Sequence, residues 1–531
     1  MKSKSGTFVT ALLAGTFATA AWAQELGRVH FETSCTPQAQ EKFDRGLAMV
    51  HSFFYPNSVQ AFTEAAAADP QCAIAYWGIA ISNRPNPLIL PLTTAVLKNG
   101  LEAVEKGKTT GAKTERERDW LAAIELYYRD YDKVDQTTRG LSYEKAMEGL
   151  AQKYPDDPEA AVFYALALNE TALHSDKTYA KQLKAGAILE KVAATLPEHP
   201  GVLHYLIHTY DYPPLAQRGL DAANKYAAVA PAAQHAQHMP AHTYSMIGLW
   251  PQSVASNTKS RAIAQEQAAK LWPGAAHPGE PHHLDFMVYA LLQMGQEGRA
   301  KQLRDETGAV KKLGFEYLPS YTALAAVPAR FALERQAWKE AAVLEPRGSQ
   351  FPQAEAITYF ARAIGLARSG DLAAAEREVD KLKELRTALE TASQSYWAEQ
   401  VEVQMMAASA WIAQAKGEKE EALKFMRAAA GVEDNSEKHI AMENRLYPTR
   451  ELLGDLLLEQ QQPGPALTAY ETSLESAPNR LRGLYGAAKA AEAARQPEKA
   501  TAYFGKLVEL TKDADADRVE IREAKAFLTP R

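Results

Sequence analysis

The stretches Leu196–Tyr210 (LPEHPGVLHYLIHTY) and Ala230–Tyr244 (APAAQHAQHMPAHTY) match each other when one is shifted by 34 residues. A tetratricopeptide (TPR) unit is about 34 residues long, and its two helices stack on neighbouring units to form a solenoid. The period therefore predicts an all-α chain, a TPR-type α-solenoid wound as a right-handed superhelix. The shift superposes these identical residues: Pro197/Pro231, His204/His238, His208/His242, Thr209/Thr243 and Tyr210/Tyr244.

TPR character extends to both sides of this stretch. Gly46 and Phe62 fit the small and aromatic positions of a unit, and Tyr470 and Phe504 are again 34 residues apart. We find no run typical of a β-strand. The predicted organisation is an irregular lead-in over residues 24–37, an N-terminal TPR-like solenoid with a histidine-rich groove over 38–330, and C-terminal TPR repeats over 331–531.

The first residues have the features of a secretory signal peptide. Lys2 and Lys4 precede an apolar run over residues 8–20, and Ala21-Trp22-Ala23 resembles a cleavage site. A membrane anchor is the alternative, but the run is shorter than the ~20 residues that a span needs. We therefore expect residues 1–23 to be a signal peptide cleaved after Ala23, and the mature protein to be periplasmic or secreted.

Charge and hydropathy limit the possible partners. The formal net charge is −6 and the sequence has no basic run, which argues against nucleic acid and anionic membranes as partners. No later segment is apolar enough to span a membrane. The expected partner is a small molecule or a peptide in the concave groove, and the sequence leaves the oligomeric state open.

Glu170 and His174 occupy the two histidine positions one period earlier, so three successive units carry a pair of polar residues at i and i+4. Such residues share one helix face, and equivalent positions of stacked units lie side by side. Imidazole and carboxylate groups that converge in this way are typical ligands of zinc, copper or iron. The predicted metal site comprises Glu170, His174, His204, His208, His238 and His242, with His235 as an auxiliary ligand.

Other residues face the groove by their position in the unit. If the first helix of each unit lines the groove, as in TPR proteins, several polar residues join the histidine patch or lie near it. Tyr210 fits either a core aromatic residue or an acid/base group. These groove candidates are His51, Tyr210, Asp211, His282, His283 and Asp285.

Two alternatives to a metal site stay open. The histidines are also consistent with a packing feature that was duplicated with the repeat, or with a scaffold whose groove binds a peptide or a partner protein through pH-sensitive contacts. The sequence has no G-x-S-x-G, phosphate-binding glycine loop or H-E-x-x-H motif. Whether the protein is an enzyme is therefore not decided by the sequence, although a metal with an open position could act on a small molecule.

The sequence contains only two cysteines, Cys35 and Cys72. In an oxidising compartment, two cysteines without a third favour a single disulfide bond, which would tie the lead-in to the first repeats. Ligation of a metal by the pair is the alternative, but their spacing fits no zinc ribbon.

Four motifs in the N-terminal half are more specific than the general TPR pattern. They are Ser34-Cys35, HSFFY at residues 51–55, DPQCAIAYWG at residues 69–78 and HAQHMPAH at residues 235–242. Together they resemble a family of exported, largely uncharacterised bacterial TPR-repeat proteins. The resemblance covers most of residues 30–300 and implies the solenoid fold and export. It also implies that the histidine block and the cysteine pair are family features, but it names no activity.

Overall fold

The structure is a computed structural model that describes residues 25–84 and 86–529. The predicted signal peptide lies outside the described residues. Within them the chain is all-α, a TPR-type α-solenoid as predicted, and its β-structure is limited to an isolated bridge between Ala276 and Leu313. None of the helices in this part of the chain is long and apolar enough to cross a membrane.

The first helices run from the lead-in to the histidine stretch. They are Pro37–His51, Tyr55–Ala68, Ile74–Ser82, Thr94–Thr110, Glu115–Tyr128, Gln136–Lys153, Pro158–Glu170, Ala180–Ala193, Pro200–Thr209, the 3-10 helix Ala216–Gly219, Leu220–Val229, Gln234–His238 and Pro240–Met246.

The later helices complete the repeats. They are Trp250–Leu271, Glu280–Gln293, Glu297–Ala309, Leu318–Leu333, Trp338–Ala342, Pro352–Ser369, Leu372–Thr391, Ser395–Ala415, Lys419–Asp434, Thr449–Glu459, Pro463–Ser476, Leu481–Ala493, Pro497–Leu510 and Val519–Leu528.

A recurrent tight turn joins the two helices of many units. One residue of the turn has positive φ and lies two positions before the second helix begins, a conformation that glycine adopts without steric cost. The sequence supplies either glycine or a long unbranched polar residue at this point. The residues are Gly248, Gly295, Gln336, Gly370, Gly417, Gln461 and Arg495.

Two of the helical repeats are packed around an aromatic side chain that lies between two glycines. A Cβ added to Gly46 or Gly78 would lie within 3.1 Å of the ring of Phe62, so only glycine allows the helices to approach this ring. Near the C-terminus, Tyr470 has the same relation to Gly454 and Gly486. The small and aromatic pattern predicted from the sequence is therefore confirmed at both ends of the chain.

The chain forms two compact units that alternate along the sequence. The first comprises residues up to Thr171, Lys181–Thr209 and Asn224–Gln237, and the second comprises Ala172–Ala180, Tyr210–Ala223 and the residues from His238 onward. The predicted boundary after residue 330 falls inside the second unit.

The disulfide prediction is confirmed, because Cys35 and Cys72 are bonded and fasten the lead-in just before the helix Ile74–Ser82. The helix that follows the lead-in begins at Pro37. Further along, Asp135 caps a helix that begins at Gln136 and continues through Gly140.

Candidate metal centre

Most of the histidines singled out in the sequence lie in three clusters, each within one compact unit. In each cluster, three residues offer ligand atoms that all lie within 4.8 Å of one another. The His238 cluster belongs to the second unit, and the other two belong to the first. We call them the His238 cluster (His238, His242, His282), the His204 cluster (His204, His208, His235) and the Glu159 cluster (His51, Glu159, His199).

His204 and His238, which the sequence places in one patch, belong to different clusters and to different compact units. One helix ends at His238 and a new one begins at Pro240, which has no N–H to continue the first.

Glu170 belongs to none of these clusters. It is buried and forms an ion pair with the guanidinium of Arg84, which lies over the rings of Tyr127 and Tyr143 at 4.2 and 4.8 Å from their centroids. Burial raises the pKa of Glu170, and the charge of Arg84 opposes this shift. The structure therefore assigns this carboxylate to Arg84, a partner 86 residues away in the sequence.

The expected i,i+4 relation between Glu170 and His174 is wrong. The helix ends at Glu170, so His174 lies in the following turn. Its ring packs on Tyr396 and His439, with centroid distances of 4.5 and 5.5 Å. Burial lowers the pKa of His174 to about 4.

The His238 cluster is formed where two short helices meet. Met239 joins them with helical φ and ψ, so His238 and His242 retain the i,i+4 relation predicted from the sequence. Their ring centroids are 4.9 Å apart, and His282 lies 4.9 Å from His238. All three side chains are buried, and the ring of Phe286 contacts each of them.

Hydrogen bonds fix the tautomers of His238 and His242. Nδ1 of His238 lies 2.7 Å from Oδ1 of Asn257, whose amide nitrogen donates to the carbonyl oxygen of Ser253. The amide oxygen must therefore accept, and His238 carries its proton on Nδ1. In the same way, Nδ1 of His242 donates to the Asp211 carboxylate at 2.9 Å.

Lys438 donates to the same oxygen of Asp211, also at 2.9 Å, so this oxygen accepts from both side chains. Nδ1 of each ring donates one of these hydrogen bonds. The other ring nitrogens face each other, with Nε2 of His238 lying 3.1 Å from Nε2 of His242. Each of these atoms has a lone pair in the neutral ring and can therefore act as an acceptor or as a metal ligand.

Neither ring is protonated at neutral pH. Burial lowers the pKa of His238 to about 4 and that of His242 well below its usual value, so both rings are neutral. The spacing would suit a shared divalent cation, since two ligands of a tetrahedral zinc ion lie about 3.3 Å apart. Asn257 and Asp211 would then orient the ligands from outside, as partners of metal-bound histidines commonly do.

The remaining groove candidates of this region lie around the cluster. Nε2 of His283 is 3.4 Å from the hydroxyl of Ser260, and its ring is 4.9 Å from that of His238. Asp285 accepts from Arg330 at 2.8 Å in a buried ion pair, which occupies its carboxylate. Tyr210 is buried, and the guanidinium of Arg218 lies 4.6 Å from its ring centroid, which favours the interpretation of a core aromatic residue.

A buried connector over residues 435–448 completes the surroundings of the His238 cluster. It lies between the helices Lys419–Asp434 and Thr449–Glu459, and most of its residues are buried. Lys438 of the connector reaches Asp211, and its Glu443 lies 3.9 Å from Arg330. Burial raises the pKa of Glu443 to about 8, and the nearby Asp285 adds to the shift.

The His204 cluster is built on the helix Pro200–Thr209, which confirms the i,i+4 relation of His204 and His208. Nδ1 of His204 lies 2.6 Å from the carbonyl oxygen of His51 and must donate to it. Nε2 of His204 therefore carries the lone pair, and it lies 3.1 Å from Nε2 of His235. His235 is the half-buried member of the cluster.

The Glu159 cluster is a complete hydrogen-bond network. Both carboxylate oxygens of Glu159 accept at 2.9 Å, one from Nε2 of His51 and the other from Nε2 of His199. The remaining ring nitrogens also have donors, because Tyr205 donates to Nδ1 of His51 and the backbone N–H of Val202 donates to Nδ1 of His199.

Electrostatics agree with this description of the Glu159 cluster. Burial by itself raises the pKa of Glu159, but the two imidazoles outweigh it and hold the pKa far below the usual range. Gly201 makes room for the network, since a Cβ there would lie 2.3 Å from Nδ1 of His51.

Sequence reasoning missed several residues that support the clusters: Glu159, His199, Asn257, Lys438 and Phe53. The sequence does contain a signal for Glu159 and His199, namely their positions beside the starts of two helices. Glu159 follows the Asp-Pro start of one helix, and His199 precedes the Pro200 that begins the helix bearing His204. The other three come from turns or helices with no periodic relation to the histidines.

No protein-family model matches the chain, and no curated protein matches it in sequence. Similar solved structures include the human IFIT1 dimer with m7Gppp-AAAA, at 12% identity over 93% of this chain and 99% of that one, with a TM-score of 0.38. Another is Naa15/Naa10 bound to HypK-THB, at 12% identity over 92% and 91% of the two chains, with a TM-score of 0.23. The APC/C hetero-tetramer Cut9–Hcn1 has 12% identity over 93% and 90%, with a TM-score of 0.29. At this identity the likeness concerns the fold alone.

Proposed function

We propose that this protein is an exported TPR-type solenoid that binds a divalent transition metal through His238, His242 and His282. One observation carries the proposal. Two buried, neutral imidazoles direct their Nε2 lone pairs at each other at 3.1 Å, while Asn257 and Asp211 hold both Nδ1 protons. A cation between these nitrogens would be coordinated by both rings, with His282 close enough to provide a third ligand.

The donor set indicates the class of metal. Imidazole nitrogens suit zinc, copper and iron, and they do not suit magnesium or calcium, which prefer oxygen. Three histidines leave a fourth position for water or a small-molecule ligand, as in catalytic zinc sites. The metal would then supply Lewis-acid chemistry, and Asp211 would hold His242 in the tautomer that binds it.

The alternative, a scaffold that binds a peptide or partner protein in the groove, is supported by the fold class alone. TPR-type solenoids commonly present concave binding surfaces. In the second unit, however, the connector 435–448 is buried and reaches Asp211 beside His242. This arrangement favours a closed site for a small ligand over an open peptide groove.

Export is part of the proposal and is supported by the Cys35–Cys72 disulfide. Disulfide bonds persist in oxidising compartments and are rare in the cytosol. Secretion of the full-length chain, with a mature N-terminus at Gln24, is the expected result.

Metal analysis of the purified protein tests the proposed centre. The mature chain, expressed without a histidine tag, is stripped with a chelator, incubated with zinc and passed over a desalting column before elemental analysis. We expect stoichiometric zinc, and His242→Ala should lose one equivalent. His277→Ala is the matched control, because His277 is a half-buried histidine outside the three clusters that accepts from the Gly279 backbone.

Equal zinc content in the wild type and His242→Ala would refute the proposed centre, provided that circular dichroism shows both proteins folded. Zinc-free wild-type protein, after separate trials with copper and iron, would also refute it and leave the scaffold as the better interpretation.

A further inference from the structure

The His204 cluster is, like the proposed centre, a group of three histidines, but it lies in the other compact unit. Its three members offer nitrogens within 4.8 Å of one another. His204 and His208 come from one helix face, and their ring centroids are 4.8 Å apart. His235 comes from the short helix Gln234–His238.

The tautomer of His204 is set for metal binding. Its Nδ1 proton goes to the carbonyl oxygen of His51, which can only accept, so Nε2 is left with its lone pair. Metal-bound histidines commonly donate their other ring N–H to a carbonyl or a carboxylate in this way. Nε2 then points toward Nε2 of His235, 3.1 Å away.

Phe53 covers this cluster from an unusual backbone position. Its φ is +50°, and it lies two residues before the helix Tyr55–Ala68, where the recurrent turn elsewhere has glycine or a long polar residue. A bulky side chain in this region is uncommon and is retained where the surroundings require it. Here its ring centroid lies 4.4 Å from His204, 5.8 Å from His208 and 5.3 Å from His235.

One turn therefore supplies both supports of the cluster. The carbonyl oxygen of His51 sets the tautomer of His204, and the ring of Phe53, two residues later, shields the three imidazoles. His235 is half-buried, so this cluster is less enclosed than the His238 cluster, whose three members are all buried. In the Glu159 cluster, by contrast, a carboxylate already occupies the position between the imidazoles.

We propose that His204, His208 and His235 form a second site for a divalent transition metal, so that the protein binds two ions. This inference rests on the proposed function only for the class of metal ion, because the second site shares no ligand with the His238 cluster. In the second site, His204 donates its ring N–H to the neutral carbonyl of His51, whereas in the first site His242 donates to the Asp211 carboxylate. A charged partner makes the histidine a more basic ligand. We therefore expect the second site to bind the metal ion about 10- to 100-fold more weakly than the His238 cluster does.

Titration of the full mature chain with cobalt(II), followed by the visible d–d absorption, tests the inference. We expect two equivalents in the wild type, with the weaker step missing in His204→Ala and the tighter step missing in His242→Ala. His30→Ala is the control and should retain both steps, since His30 is exposed and pairs with Asp44. His235→Gln removes a half-buried ligand and provides the same test if His204→Ala does not fold.

The outcomes separate the two proposals. A single equivalent that is lost in His242→Ala but kept in His204→Ala and His235→Gln would overturn the second site and leave the first intact. A single equivalent lost in His204→Ala and His235→Gln but kept in His242→Ala would support the second site and overturn the first. Binding of no metal by the folded wild-type chain would overturn both.

Discussion

The Glu159 cluster and the His238 cluster contain similar groups, but only one of them is a complete network. Each brings together three buried side chains with ligand atoms within 4.8 Å. In the Glu159 cluster, a carboxylate accepts from His51 and His199, so every contact joins a donor to an acceptor. In the His238 cluster, two Nε2 atoms that both carry lone pairs lie 3.1 Å apart.

The difference shows that the proximity of histidines is not enough to identify a metal site. The second hydrogen bond of each ring decides the question, because it determines which nitrogen carries the proton. In one cluster the partners direct the protons inward to Glu159. In the other, Asn257 and Asp211 draw the protons outward and leave lone pairs inside.

The largest effect is expected from Glu159→Ala, which should destabilise the fold without removing metal from the His238 cluster. The variant leaves the buried Nε2–H groups of His51 and His199 without an acceptor, at a cost of about 1–3 kcal/mol each. We expect the free energy of unfolding to fall by about 2–6 kcal/mol in urea denaturation. A loss below about 1 kcal/mol would show that the carboxylate is not the centre of that network.

His174 provides a third case, a histidine that has neither a bridging carboxylate nor a ligand arrangement. Its pKa is about 4 because of burial, and the charges of Lys438 and Arg445 add to the shift while Glu437 opposes it. The unfolded chain, with a pKa near 6.5, therefore binds more protons between pH 6.5 and 4. The stabilising contribution of neutral His174 is complete above pH 6.5 and is lost as the pH falls toward 4.

We expect His174→Phe to reduce this pH dependence by at most about 3 kcal/mol between pH 6.5 and 4. The phenyl ring keeps the packing on Tyr396 but does not titrate. Urea denaturation of the wild type and the variant at several pH values measures the difference. Parallel pH profiles would mean that His174 is protonated in the folded state as easily as in the unfolded state.

These cases also indicate what the sequence could predict. The 34-residue period predicts the solenoid, and the helix spacing predicts that His204 approaches His208 and that His238 approaches His242. Both relations depend on local geometry, and the structure has them. The ion pair of Glu170 could not be predicted, because its partner, Arg84, lies 86 positions earlier in the chain.

The partners that fix the tautomers are equally non-local. His238 meets Asn257 across 19 positions, and Asp211 meets Lys438 across 227. Neither distance is a multiple of the repeat, so periodicity gives no signal for them. His282 appears in the sequence as a groove candidate, and only the packing of its helix makes it the third member of the His238 cluster.

A smaller effect is expected from Asp211→Asn. The amide oxygen can still accept from His242, but the negative charge that strengthens this ligand is lost. Changes to such partners typically weaken metal affinity 10- to 100-fold, which we expect for zinc in a competition titration with a chromophoric chelator. Asp380→Asn, at an exposed position, is the control and should leave the affinity unchanged. Equal affinity in both variants would mean that Asp211 does not support the ligand.

The most direct test of the account is anomalous X-ray diffraction at the zinc edge from crystals of the zinc-loaded mature protein. The account predicts a strong anomalous peak about 2.0–2.1 Å from Nε2 of His238 and from Nε2 of His242, with His282 as a further ligand. The Glu159 cluster should give no peak, because its carboxylate already satisfies both histidines. A peak in the Glu159 cluster, together with none in the His238 cluster, would contradict the central claim that ring protonation distinguishes the metal site from the structural network.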